Sequence, residues 1–401
     1  MKNKKNVGRI EFILLIALMT SLLAFSVDTI LPALAIISEE LGETNPNNRQ
    51  LIITSIFAGM ALGQMLFGPL SDSIGRKLSI YWGMLIFIIG SIFCILATDF
   101  WWLLFGRFMQ GFGASAGRIV TMAIVRDLYS GRKMASTMSF VMAVFILVPV
   151  VAPAFGQLML AFLDWRMLFV VFVIFSAILT LWFGMRQPET LAIENRVAFS
   201  IIQISKTLLS IIKNPIILGY SIISGMIFGA FLGYLLLSQQ ILQQQYDLGW
   251  QFAIYFGGFA LAISISAVVN GSLVERLGMH FLTKIALISC FVISSIFVII
   301  SLYYLGHPPL WLLSIALVTV LFFMGLLFGN FNALAMEPLE KSIGIGVALI
   351  GSLSLIISVI IGTIIGASYD NSVTPMLVGF ALFSLLAWIL MYFTEAQRVN
   401  L

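Results

Sequence analysis

Apolar residues run along this chain in blocks of roughly 20, close to the length a bilayer-crossing helix needs, and polar residues collect between them. Twelve such blocks can be drawn, over approximately 12–35, 51–70, 78–97, 102–125, 134–157, 166–185, 215–238, 252–273, 282–305, 310–334, 343–367 and 375–393. The pattern predicts an all-α membrane protein of twelve transmembrane helices. Trp101, Trp102, Trp165, Trp250 and Trp311 fall at block edges, where amphipathic rings prefer the headgroup layer. The first block follows a basic segment but is too long for a signal sequence, so it is expected to stay as the first span.

A polar pattern recurs between the blocks. Gly68-Pro-Leu-Ser-Asp72-Ser-Ile-Gly75-Arg76-Lys77 follows the second block, and Gly271-Ser-Leu-Val-Glu275-Arg276-Leu-Gly278-Met-His280 follows the second block of the other half. Recurrence at matched positions indicates a duplicated bundle, the internal symmetry expected of secondary transporters. The chain is therefore expected to divide into an N-terminal six-helix bundle over 1–185, a cytoplasmic linker over 186–214 and a C-terminal six-helix bundle over 215–401. Within the linker, residues 191–213 mix apolar side chains with Glu194, Arg196, Lys206 and Lys213. That mixture suits a helix on the inner membrane surface and a flexible connection equally well.

Composition agrees with the block pattern: 61% of the 401 residues are hydrophobic and 9% charged, against about 25% charged in a soluble domain. Mean hydropathy is +1.08. The net charge of +4 is spread along the chain and gives no nucleic-acid footprint. Its distribution sets orientation instead. All but four of the 21 basic residues, from Lys2, Lys4 and Lys5 through Lys341 to Arg398, fall at the termini, in even-numbered connections or at their flanks. Arg49 and Arg166 lie on the opposite side, and Arg107 and Arg118 inside a block. The excess of positive charge places both termini in the cytoplasm.

Several chemistries are excluded. There is no G-x-x-x-x-G-K-(S/T) phosphate loop, no Cys/His cluster and no potassium-filter sequence, so no cofactor, no metal and no enzyme activity are expected. Cys94 and Cys290 sit in apolar blocks as buried thiols, and His280 and His307 fall in loops as solvated residues.

Three charged residues lie well inside the blocks, away from their ends, where an ionised group costs several kcal/mol unless it meets a wet cavity or a partner. Asp28 and Arg107 sit at similar depths, ~24 and ~27 Å from the inner ends of their helices, so an ion pair forms if the two spans are neighbours. Arg118 shares a helix face with Arg107, ~16 Å along the axis. Gly111, Ala114 and Ser115 between them are small enough to leave a groove. Asp28, Arg107, Gly111, Ser115 and Arg118 are thus the candidate lining of a substrate cavity. Two readings stand for Arg118: contact with the substrate, or snorkelling to the inner headgroups. In the fifth block Pro149 and Pro153 remove two helix donors and favour a bend. Gly225, Gly229 and Gly233, four apart, allow close helix approach.

These residues together resemble the major facilitator superfamily, in its twelve-span drug:proton antiporter group, and within it the Bcr/CflA type of bicyclomycin and phenicol exporters. The resemblance covers nearly the whole chain. The loop at 68–77 matches the superfamily's hallmark, with Ser73 where a basic residue is usual. Leu104-Phe-Gly-Arg107-Phe-Met-Gln110-Gly111 matches the span-four motif, and Ala152-Pro153-x-x-Gly156-Gln157 resembles the antiporter motif with two of its glycines replaced. Asp28-Thr-Ile-Leu31-Pro32-Ala33-Leu34, Arg126-Asp127 and Asp164-Trp165-Arg166 are similar to the Bcr/CflA group.

The resemblance implies a proton-driven exporter of small amphiphilic compounds, working as a monomer in the bacterial inner membrane by alternating access. It implies that Arg107 supports proton coupling, for which Asp28, the only acid well inside a block, supplies a carboxylate that can be charged or neutral. It also implies that Gly68, Asp72, Gly75, Arg76 and Asp127 form a cytoplasmic latch, and that Pro149, Pro153 and Gly156 belong to the antiporter helix. Its partners would be a small-molecule substrate, protons and the lipid bilayer. Two arginines against one carboxylate make an endogenous anionic metabolite as plausible a cargo as an antibiotic. Uptake of a nutrient by proton symport is the alternative on the same fold.

Overall fold

The computed structural model describes residues 8–338 and 343–399, which are helical throughout their regular structure. Lys2, Lys4, Lys5 and Lys341, counted above among the cytoplasmic basic residues, lie outside the described residues. Among the described residues, twelve long helices cross the fold. Spans one to six are Arg9–Asp28 with its continuation to Glu40, Leu51–Ile74, Arg76–Ile95, Phe100–Leu128, Gly131–Leu160 and Arg166–Arg186. Spans seven to twelve are Pro215–Gln239, Phe252–Leu277, Met279–Tyr303, Leu310–Met336, Ile343–Ala367 and Thr374–Val399. Eleven of the described helices are apolar and long enough to cross a membrane by length and composition. The exception is span four, where Arg107, Gln110, Arg118 and the glycines dilute the apolar character.

The packing repeats. Span four lies against spans two and three, span one against span five, and span three against span six; the same pairs recur six spans later. The two bundles meet where span two packs on span eleven and span five on span eight, two contacts that are mates under the same exchange of halves. Parallel halves related by an axis along the membrane normal have this arrangement. The loop repeat is structural as well. Gly75 and Gly278 both adopt positive φ, +102° and +78°, at the turn into spans three and nine, a backbone region that glycine enters without a Cβ penalty.

Span one breaks inside its apolar block. Pro32 has no N–H to offer Asp28, four residues back, and its ring clashes with that carbonyl. The α-helix accordingly stops at Asp28, passes through a 3₁₀ turn at Leu31–Ala33 and resumes at Leu34–Glu40. Span five, by contrast, runs as one helix through Pro149 and Pro153. The linker divides: residues 187–197 wrap the loop between spans two and three, while Ile201–Lys213 forms a helix with exposed Ile201, Ile202, Leu209 and Ile212.

The groove expected on span four between Arg107 and Arg118 is filled by span two. A Cβ on Gly111 would stand 1.7 Å from the Ile56 carbonyl oxygen, and one on Gly63 of span two would stand 2.3 Å from the Ser115 hydroxyl. Trp165 also departs from the expectation of a headgroup anchor. It is buried, donates its indole N–H to Glu40 at 2.7 Å and lies under the Arg166 guanidinium at 4.2 Å, because a buried indole N–H needs an acceptor. Substituting Gly111→Ala should force spans two and four apart and cost about 1–3 kcal/mol. Thermal unfolding of the purified protein checks this, with Gly271→Ala, where a Cβ meets nothing within 4 Å, as the unaffected comparison.

Candidate functional site

A cavity of about 340 Å³ lies between the bundles, lined by spans one, two, four and five on one side and seven, eight, ten and eleven on the other. Asp28 and Arg118 are the charged residues in its wall. Asp28 owes its place to the break in span one. It is 4% exposed and ends the α-helical part of that span, beside Val27, Tyr234 and Phe256 in the lining. Arg118 opens onto the cavity, and its guanidinium has no hydrogen-bond or ion-pair partner among the described residues. Gly117, the residue before it on span four, lies against span one, where a Cβ would stand 2.9 Å from the Met19 carbonyl oxygen. Arg118 therefore stands level with Thr20, eight residues before Asp28, which separates the two charges by ~12 Å along the span.

Arg107 is elsewhere. The expected Asp28–Arg107 ion pair is not formed among the described residues, and Arg107, Gly111 and Ser115 are packed behind the wall rather than in it. The guanidinium of Arg107 is wholly buried and donates to the Ser26 carbonyl at 3.2 Å, the Ile52 carbonyl at 3.2 Å and Gln110 Oε1 at 2.8 Å. Gln110 passes the chain on to Ser91 of span three at 2.7 Å, and Phe169 of span six lies 5.9 Å from the guanidinium carbon. The break explains the first of these bonds. Ile30 N bonds Val27 O instead of Ser26 O, and the Ser26 carbonyl so released is the one Arg107 meets. Arg107 thus fixes the backbone two residues from Asp28 without touching its carboxylate. Gly156 does so from the other side: a Cβ there would stand 2.0 Å from the Thr29 carbonyl oxygen.

At the end of the bundle that carries the termini, the structure brings Asp72, Arg76 and Asp127 together. Arg76 bonds Asp72 Oδ1 at 2.5 Å, Asp127 Oδ2 at 2.9 Å and Ser71 Oγ at 2.8 Å. The segment after span six closes over this group. Glu189 accepts from the backbone N–H groups of Arg76 and Lys77, both at 3.0 Å, at the start of span three, and Val197 N bonds the Asp72 carbonyl. Burial acts to raise the Glu189 carboxyl, and the backbone N–H groups of Leu191, Lys77, Arg76 and Thr190 outweigh it, holding it below the usual carboxylate range. Gly75 makes the clasp fit, since a Cβ there would stand 2.6 Å from Glu189 Oε2. Gly68 faces Ala348 of span eleven across the bundle interface.

In the second half the matching corner holds His280, which is a partnered residue rather than a solvated one: Nδ1 lies 2.8 Å from Glu395, and Arg398 Nη1 lies 2.6 Å from Nε2 while Nη2 bonds Glu337.

The opposite end carries a feature the sequence did not disclose. Gln50 donates to Gln240 Oε1 at 2.9 Å and to the Gly366 carbonyl at 2.8 Å, Gln240 to the Pro46 carbonyl at 3.1 Å, and Asn47 to the Tyr369 carbonyl at 3.1 Å. Gln157 of span five donates to the Gly249 carbonyl at 2.9 Å. These neutral amides tie the two bundles across that end of the cavity. A run of glutamines closing span seven, Gln239-Gln240 and Gln243–Gln245, was the available signal.

Two six-helix halves around a central, sparsely charged cavity are the arrangement of a membrane transporter, the class to which the family matched by the chain belongs. The Major Facilitator Superfamily pattern matches residues 16–363, and the chain belongs to that family. It is 30% identical over 371 residues to the uncharacterized MFS-type transporter YdgK of Bacillus subtilis (strain 168), covering 92% of this chain and 91% of that one. It is 27% identical to a bicyclomycin resistance protein homolog of Haemophilus influenzae, with 97% of each chain covered. The relatives thus include the Bcr/CflA group to which its motifs point. A crystal structure of a D-xylose-proton symporter superposes with a TM-score of 0.73 at 15% identity, over 96% of this chain and 98% of that one, which speaks for the fold.

The two arginines make a test of this geometry. Arg107→Lys retains charge but not the fork that reaches two carbonyls and Gln110, so it should cost about 1.5–3 kcal/mol of stability. Arg118→Lys, at a guanidinium with no described partner, should leave the melting temperature of the purified protein near that of the parent.

Proposed function

We propose that the protein is a proton-coupled exporter of small amphiphilic compounds, resident in the bacterial inner membrane with both termini in the cytoplasm, acting as a monomer through alternating access. The observation that carries this reading is Asp28: the only acid in the cavity wall among the described residues, held at a helix break by Arg107 and Gly156. A carboxylate there can switch between charged and neutral as its surroundings change from wet to dry. Proton entry and substrate departure then alternate on the same cavity. The neutral amides of Gln50, Gln240 and Asn47 close the outward end, and part without leaving a bare charge behind. The Asp72–Arg76–Asp127 group is the latch of the opposite end. The excess of basic residues at the end carrying the termini supports its placement in the cytoplasm. The relatives named for bicyclomycin resistance favour export over nutrient uptake.

Inside-out vesicles with a compound panel and a pH-sensitive dye test the reading. Export predicts substrate accumulation in the vesicles coupled to proton release; substrate movement in the opposite sense would establish uptake. In this assay Asp28→Asn should abolish proton-coupled transport while the melting temperature is retained, since the amide is nearly isosteric and cannot titrate. Full activity with normal proton flux would remove Asp28 from the mechanism. Asp72→Asn should lower turnover by tenfold or more with ligand affinity near that of the parent, because about 1.5–3 kcal/mol of charge-assisted hydrogen bonding to Arg76 is lost away from the cavity. A loss of affinity with intact turnover would contradict the latch.

A further inference from the structure

The charged residues of the cavity and most of its aromatic ones stand on opposite walls. The first-half wall supplies Arg118, whose guanidinium has no partner among the described residues, far from the helix end and open to the cavity. A cation within a membrane-spanning bundle is costly unless it is paired or faces a wet cavity; Arg118 is exposed to the cavity, and the other lining charge, Asp28, is ~12 Å away along span one. The second-half wall supplies rings. Phe228 packs edge-on to Phe328 at 5.8 Å, Phe231 edge-on to Phe328 at 5.4 Å, and Phe57 of span two reaches across to Phe228 at 6.1 Å. Phe328 lies ~12 Å from the end of its span on the side of the termini, and Arg118 ~15 Å on the same scale, so the two stand at nearly the same depth. Phe228, at ~20 Å, continues the shelf toward Asp28.

We propose that the cavity is built for an aromatic organic acid, its anionic group on Arg118 and its ring on the Phe228–Phe231–Phe328 shelf. This rests on the reading of the cavity as the transport site and narrows its substrate. The guanidinium presents paired N–H donors that match a carboxylate. Edge-to-face packing against the shelf adds to what apolar burial alone provides for a flat ring. A volume of about 340 Å³ is at the small end of ligand pockets, which suits a compound of one or two rings. Asp28, two helical turns off, repels a second anionic group and leaves room for one. A cation would meet Arg118 directly.

The test is equilibrium binding by calorimetry to the purified full-length protein in lipid nanodiscs. The four matched probes are 2-naphthoate, its neutral 2-naphthamide, the cationic 2-naphthylmethylammonium and the saturated decahydronaphthalene-2-carboxylate. We expect 2-naphthoate to bind at least tenfold more tightly than the amide or the cation, and severalfold more tightly than the saturated acid. Arg118→Ala should shrink the naphthoate-to-naphthamide ratio to less than threefold, with Arg118→Lys intermediate. Phe328→Leu should weaken 2-naphthoate more than the saturated acid. Binding of the amide or the cation as tight as that of naphthoate would overturn the proposal. So would an unchanged ratio in Arg118→Ala, or no binding of 2-naphthoate at millimolar concentration. Binding without turnover separates the two readings: if 2-naphthoate binds as expected and energised vesicles neither move it nor move protons with it, proton-coupled export fails and the assignment of the site stands.

Discussion

A helix that breaks inside a membrane leaves carbonyls that no water is at hand to satisfy, and much of this protein is arranged around one such break. Pro32 ends the first α-helix at Asp28, and the Ser26 carbonyl it releases is met by Arg107. Arg107 can arrive only because span four lies close to span two, which depends on Gly111 and Gly59. Gly156 brings span five onto the same break from the opposite side. Asp28, the one acid of the cavity wall among the described residues, is therefore held in place by its backbone, and its carboxylate is left free for chemistry.

The two ends of the molecule carry different kinds of bond, ion pairs within the first bundle at one and amides between the bundles at the other. Where the termini lie, full charges meet: Arg76 between two aspartates, with Glu189 across the start of span three. At the other end primary amides and backbone carbonyls meet. Separating charges and separating amides carry different costs, because an orphaned ion is far more expensive than an orphaned amide in a medium of low dielectric.

Much of this architecture was legible beforehand. Twelve apolar blocks became twelve helices, since block length follows from membrane thickness and little else. The loop motif was legible because its glycine and its charges are tied to one turn. What could not be read were pairings between helices. Arg107 and Arg118 share a face and a type, yet one is consumed by carbonyls of spans one and two and the other faces open space, a difference fixed by which helices stand next to span four. Gln50 and Gln240 looked like ordinary residues at span ends, because an amide's partner lies across a gap that no local pattern records. Trp165 sat at a block edge as an anchor would, and was instead drawn inward by Glu40.

Spans seven and eleven mesh in a way that constrains motion. Gly225, Gly229 and Gly233 each receive one isoleucine, Ile357, Ile361 and Ile365 in turn, and the Ser354 and Ser358 hydroxyls bond the Ser221 and Gly225 carbonyls at the same spacing. Teeth repeated every four residues permit no sliding shorter than a helical turn, about 5 Å. The pair is then a single rod, carrying Phe228 and Phe231 on one member and the Gly366 closure on the other. On the proposed alternation of the cavity between its two sides, a tilt of those two rings and a shift of the closure are one displacement seen at two places.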